Sequence, residues 1–238
     1  MPSELDQERP SASGPARRGP ALTREQVLNA AIGIIDDAGV EALTMRRLGQ
    51  ALNRNPMTIY RHATDKDALL DGVVEHVVAE LVIPRATGNG GTNDWEDVLR
   101  RTAHAFRTIA LAHPNVVPLL VTRSVSGPLA LRPLGTLRPL EELLELFIGA
   151  GFDTRGALHA TRLFIGFLYS QIQDELQERV HDPDEVDDLL RLGLHRLPVT
   201  RFPRLRSLAA DLAGYDGAAE LDEGLAIVIA GLRSQLQS

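Results

Sequence analysis

Apolar residues recur along this chain at helical spacing almost from end to end. After Thr23, the positions Val27, Ala30, Ala31, Ile34, Ile35 and Ala38 share one helix face. Thr23 can cap that helix, and Gln26 three residues on completes a capping box. Gly39 follows as a natural residue to end it, since glycine reaches left-handed conformations freely. Thr44 caps a second helix carrying Met45, Leu48 and Leu52 at i, i+3 and i+7. Asn53 comes next, where the chain must turn sharply, and asparagine tolerates positive φ well. Asn55 caps a short third helix, Pro56 to about His62, with proline at the first position where a missing N–H costs nothing. Ile59 can face its core side, while Met57, Thr58 and Arg61 project elsewhere. Asp65 caps a fourth helix whose Leu69, Leu70, Val73, Val74, Val77, Val78 and Leu81 make it too apolar for a free surface element. It is expected to join two parts of the molecule.

Residues 84–93, PRATGNGGTN, break the pattern and mark a domain boundary. A helix from Asp94 to about Ala112 follows, stopped by His113-Pro114. Shorter helices are expected near 115–123 and 133–149. The helix from Asp153 to about Arg179 is apolar nearly all round through LFIGFLYSQI (163–172), so it needs cover on two sides. The stretch 181–203 opens acidic; its carboxylates at 182–188 read as a solvated loop, with short helices near 184–192 and 204–212. Leu221, Leu225, Val228, Leu232 and Leu236 form the stripe of the last helix. No strand alternation or internal repeat is present in the sequence. The fold class is therefore all-α, with an N-terminal three-helix helix-turn-helix head joined by a linking helix to a larger helical body. The expected divisions are a disordered arm at 1–21, the head at 22–66, the linking helix at 67–83 and the body at 94–238.

Charge sharpens this division. The net charge is −7, but residues 1–66 hold nine Arg or Lys against eight Asp or Glu, leaving 16 against 24 in the remainder. Between Thr44 and Lys66 lie Arg46, Arg47, Arg54, Arg61 and Lys66 with one acid, Asp65. A small basic patch on an acidic body suits local phosphate contact rather than indiscriminate coating of nucleic acid. Arg17 and Arg18 could extend it as a basic arm, though a solvated tail fits the composition better.

Other chemistries find little support. There is no cysteine, hence no disulfide, cysteine nucleophile or thiolate metal site. GxSxG, HExxH, GxxxxGK[ST] and GxGxxG are absent, so an enzyme is not expected. His76 and Glu80 have metal-ligand spacing but no third partner nearby in sequence, so neither metal nor cofactor is expected. His104, His113 and His159 read as capping or surface residues before pocket residues. No apolar run approaches the roughly 20 residues of a membrane helix, and no secretory signal is recognisable, so the expected location is cytoplasmic. Phe106, Phe147, Phe164 and Phe167 fall on three consecutive long helices of a body otherwise filled by Leu, Ala and Val; with Leu120 they are the candidates to line a ligand cavity.

The motifs LTMRRL (43–48), TIYRH (58–62) and DKDALL (65–70) resemble the Tet repressor family, and the resemblance covers residues 22–82. FPRL (202–205) and LDEGL (221–225) extend it into the body. The resemblance implies a homodimeric repressor released from a palindromic operator by a small-molecule effector. It implies a four-helix bundle between subunits, built from the helices near 153–179 and 220–237. By position it assigns phosphate contact to Thr44 and Tyr60, base edges to Arg46 and Thr58, and backbone contact to His62 and Lys66, with Met57 at the reading tip. Arg46 suits its role, because a guanidinium fork matches guanine O6 and N7, worth about 1–3 kcal/mol of discrimination. Asn53 stands where the family usually has glycine, and Pro56 and Met57 replace commoner residues. The founding member holds metal–tetracycline with histidines and an asparagine; the corresponding places here carry Val82, Thr102 and Leu119 or Leu120, with Phe106 retained. Tetracycline is therefore not the expected effector. Two other functions compete: a helical small-molecule-binding or enzymatic protein whose head docks a protein, and a ligand-free DNA-binding activator with a solidly packed body.

Overall fold

The computed structural model describes residues 21–84, 94–125, 128–129, 132–178 and 187–236. The expected arm, apart from residue 21, and most of the acidic stretch at 182–188 lie outside the described residues. All regular structure among the described residues is helical.

The head opens with α1 (Arg24–Ala38), α2 (Met45–Ala51), α3 (Pro56–Ile59) and α4 (Lys66–Glu80). Each begins at the cap that the sequence supplies. The Thr23 and Gln26 side chains form the full capping box. Thr44 Oγ1 accepts from the Arg47 N–H at 3.1 Å, Asn55 from Met57 at 2.9 Å and Asp65 from Ala68 at 2.7 Å. Such caps satisfy N–H groups that the first turn leaves without partners. Gly39 has positive φ (79°) but extended ψ (168°), so it leads α1 into a short 3₁₀ turn, Val40–Ala42, rather than adopting a left-handed cap. Val27, Ala31, Ile35, Leu43, Leu48 and Ile59 close the head's core without solvent exposure.

The linking helix α4 touches both parts. Leu69, Val73, Val74 and Val77 are buried between α1 and the body. Its opposite flank meets a π-helical turn, Leu120–Val125, and a 3₁₀ turn, Leu134–Leu137. A second tie lies at the end of α1, where Asp36 receives His113 Nδ1 at 2.7 Å and its carbonyl accepts from Asn115. The body comprises α5 (Asp94–Ala112), the turn α6 (Val117–Leu119), α7 (Arg138–Gly149), α8 (Thr154–Glu178), the short α9 (Asp188–Arg191), α10 (Pro203–Ser207) and α11 (Ala209–Ala213), and α12 (Gly217–Leu236).

Helix α8 is the body's hub, packing on α5, α7 and α12. Phe147 is fully buried, tilted against Trp95 and edge-on to Phe152, with centroids 6.1 and 5.4 Å away. In α12 the buried stripe is Leu221, Leu225, Ile229 and Leu232. Ile229 displaces Val228, which is only half-buried. Two bidentate ion pairs pin the body. Arg107 grips Glu175 at 2.8 and 2.7 Å, joining α5 to α8. Arg233 grips Glu96 at 2.7 and 2.6 Å, joining α12 to α5. The hydrogen bonds to Glu175 hold the Arg107 guanidinium above its already high ordinary pKa, against the cost of burial. Glu175 is buried, and a carboxylate in that position is costly without its cation. Arg107→Met should therefore lower stability by about 3 kcal/mol, measurable by urea denaturation at fixed protein concentration.

Candidate nucleic-acid interface and effector cavity

The helix-turn-helix is made by close backbone approach between α2 and α3. Asn53 takes φ 49°, the single non-glycine residue with positive φ among those described. Its N–H bonds the Gln50 carbonyl, and the Arg54 N–H bonds Gly49. Gly49 is needed there: a Cβ would stand 3.0 Å from the Arg54 carbonyl oxygen and 3.2 Å from the Pro56 ring. Sequence reading passed over this glycine, although an LGQAL run before a turn could have flagged it. The third helix ends at Ile59 rather than His62; Arg61, His62 and Ala63 continue as turns bonded to Thr58 and Ile59.

Of the DNA-contact candidates, Thr44, Arg46, Met57 and Tyr60 are exposed, with Met57 70% exposed at the start of α3. Thr58 and His62 are half-buried. Thr44 already uses its hydroxyl as a cap. Lys66 opens α4, and its Nζ lies 4.0 Å from the fully exposed Glu41 carboxylate. Arg46, Arg47, Arg54 and Arg61 are all exposed around these residues. The head thus offers an apolar thioether, a phenol and several cations on residues held by a buried Leu48–Ile59 core.

A second site lies in the body. A cavity of about 480 Å³ opens between α4, α5, the turns at 120–137, α7 and α8. Val77, Val78 and Leu81 form its α4 wall. Thr102, Phe106 and Ile109 line it from α5, and Leu158, Ile165 and Tyr169 from α8. Phe106 stands edge-on to Tyr169, centroids 5.2 Å apart. Of the five ligand candidates, Phe106, Leu120 and Phe164 reach this cavity. Phe147 belongs instead to the Trp95 cluster. Phe167 lies over Gly224 of α12, so close that a Cβ there would meet its ring. The sequence reading missed Arg132 and Arg162, both in the lining; an arginine beside Leu163 and Phe164 was the available signal. The cavity differs from the solid body that a ligand-free activator would have.

The histidines lie elsewhere. His104 pairs with Asp222 at 2.8 Å, His113 holds Asp36 and His159 is exposed. No group of His, Asp and Glu suited to a metal occurs among the described residues. None of the described helices is long and apolar enough to cross a membrane.

A helix-turn-helix head on a helical body with an internal cavity defines a class, the one-domain-senses, one-domain-reads DNA-binding regulators. Residues 27–73 match the bacterial regulatory proteins of the tetR family, and residues 87–236 match the tetracyclin repressor-like C-terminal domain. The chain belongs to the TetR family of transcriptional regulators. It is 28% identical over 219 residues to an HTH-type transcriptional regulator of Saccharopolyspora erythraea, covering 91% of this chain and 87% of that one. It is also 28% identical over 215 residues to the class A tetracycline repressor from Escherichia coli, covering 89% and 90%. Among solved structures, ActR of Streptomyces coelicolor in complex with actinorhodin superposes with TM-score 0.73 at 27% identity, covering 91% of this chain and 99% of that one.

The positive φ at Asn53 gives a direct check on the turn. Asn53→Gly should leave stability within about 0.5 kcal/mol, whereas Asn53→Ala should lose about 1 kcal/mol because a β-carbon is disfavoured there, read by thermal denaturation.

Proposed function

We propose that this regulator is a cytoplasmic, homodimeric repressor that a small-molecule effector releases from a palindromic operator. The observation that carries the reading is the cavity's position: its α4 wall is the helix that bears the head. The small-molecule complex of ActR supports it. So does the description of a relative as a tetracycline repressor, although tetracycline itself is not assigned to this chain. Two recognition helices would sit in successive major grooves roughly 34 Å apart. Dimerisation through α8 and α12 is supported by apolar side chains left open on both: Leu163 is 52% and Ile227 75% exposed.

In this reading Arg46 and Thr58 meet base edges, Thr44 and Tyr60 meet phosphates, His62 and Lys66 hold backbone, and Met57 packs at the reading tip. The exposure of Arg46, Met57 and Tyr60 supports those roles. Lys66 would exchange its long contact with Glu41 for a phosphate oxygen.

Release would travel along one face of α4. Asp67, Asp71 and Glu75 are spaced four residues apart there. Arg123, from the turn that begins at the cavity residue Leu120, donates to Asp67 at 2.8 Å and to Asp71. Burial disfavours the charge on Arg123, and these hydrogen bonds outweigh it, raising its pKa. Glu75 accepts from the Gly135 N–H at 3.0 Å, beside the cavity residue Thr136, and from Arg24 of α1 at 3.2 Å. An effector that moves the turns would thereby move α4. It must bind the DNA-released state more tightly, since equal affinity shifts nothing.

The test is affinity for the intergenic DNA beside the protein's own gene at two salt concentrations; indifference to that DNA rejects the reading. Arg46→Ala should relax sequence preference, while Lys66→Ala should weaken every sequence alike and reduce the salt slope by about one. Arg123→Ala should weaken operator binding by a factor of about 3–10 with the salt slope unchanged, because it loosens the head without removing a phosphate contact. Sedimentation at micromolar concentration should give a dimer, and a stable monomer there would reject that part.

A further inference from the structure

We infer that the effector is an amphipathic organic anion, with an apolar body in the cavity, an acid group at a cationic rim formed by Arg132 and Arg162, and a polar oxygen near its inner end bonded to Thr102. This rests on reading the cavity as the effector site.

The charge of the lining is the first argument. The chain after residue 66 carries 24 acids against 16 bases, yet the side chains around the cavity include two guanidinium groups and no carboxylate. Three body arginines that approach the core are committed to acids: Arg107 to Glu175, Arg123 to Asp67 and Asp71, and Arg233 to Glu96. Arg162 differs. Among the described residues it has no hydrogen-bonding or ion-pair partner, and it is exposed while lining the cavity. Leu158 and Tyr169 share its side of α8 in the lining, so its stem can follow an apolar wall and leave the charge at the mouth. Leu129, 53% exposed, also lines the cavity, and its carbonyl accepts from the Arg132 N–H at 3.2 Å. A guanidinium fork suits a carboxylate or sulfonate oxygen pair, while a cationic ligand would be repelled and a neutral one would gain no ion pair.

The inner end supplies the second argument. Thr102 is 1% exposed, and its hydroxyl has no hydrogen-bond partner. A buried hydroxyl without a partner is costly, so a ligand carbonyl or hydroxyl there would relieve the protein as well as hold the ligand. Phe106, Leu120, Phe164 and Leu168 surround the interior and are buried. Apolar walls with the unpartnered Thr102 hydroxyl inside and cations in the lining select a ligand with matching groups.

Anthraquinone-2-carboxylate is a suitable probe, being flat and apolar with central carbonyls and an acid at one end. Its neutral carboxamide is the control. Titration calorimetry on the full chain should show the acid binding at least about tenfold tighter than the amide at low salt. Added salt should shrink that advantage. Arg132→Gln with Arg162→Gln should bring the acid down to the amide's affinity and leave the amide unchanged. Thr102→Val should weaken both compounds by about threefold or more. Leu140→Trp, from a residue of the lining, should block both. Equal binding of acid and amide, both blocked by Leu140→Trp, keeps the cavity as the effector site and overturns the anion. An acid preference that survives the double arginine change overturns the assigned rim, and a silent Thr102→Val overturns the inner bond. Binding of neither compound, or binding indifferent to Leu140→Trp, overturns the cavity reading and the inference together.

Discussion

The acidic face of α4 is the constraint on which the rest of this molecule depends. Asp67, Asp71 and Glu75 lie in register on one side of a helix whose other side is buried apolar core. Each carboxylate holds a donor from the body, and Glu75 also holds Arg24 of the head. Hydrophobic burial alone would let α4 slide, because apolar contact is non-directional. Charge-assisted hydrogen bonds have preferred directions and distances, so they fix the helix's rotation relative to the turns at 120–125 and 134–137. Those same turns contribute Leu120 and Thr136 to the cavity. The head's orientation and the shape of the cavity are thus properties of one set of contacts.

Charge is partitioned in the structure more finely than in the composition. The head turns its arginines outward from a small apolar core. Inside the body, arginines that approach the core meet carboxylates in bidentate pairs, and Glu96 and Glu175 are buried because such cations accompany them. Arg162 at the cavity stands apart from this scheme, having no hydrogen-bonding or ion-pair partner among the described residues and no acid in the same lining. An acidic protein can therefore carry cationic side chains both on its head and at its cavity.

A single protomer leaves its hub helices incompletely covered. The apolar run of α8 buries Phe164, Leu168 and Ile172, but Leu163 faces outward and Phe167 is half-covered by α12. On α12, Ile227 is more exposed than most surface aliphatics, next to the small residues Ala226, Ala230 and Gly231. Small residues permit close approach of a second backbone, which is the feature of α12 that the proposed dimer would use.

What the sequence by itself determined were the features governed by neighbours along the chain. The caps at Thr23, Thr44, Asn55 and Asp65, the strained turn at Asn53 and the apolar character of α4 follow from hydrogen-bonding groups and periodicity within a few residues. That is why the head was legible almost residue by residue. The tertiary structure decided what depends on direction. Four phenylalanines of equal hydrophobicity went to different places: Phe106 and Phe164 to the cavity, Phe147 to Trp95, Phe167 to Gly224. Ile229 rather than Val228 became core because α12 is rotated by its contacts with α5 and α8. His113 found Asp36 77 residues away. Apolar spacing says that a side chain turns inward, but only the packing of helices remote in sequence says what it meets there. The cavity is a gap left by that packing, so no local pattern could announce it.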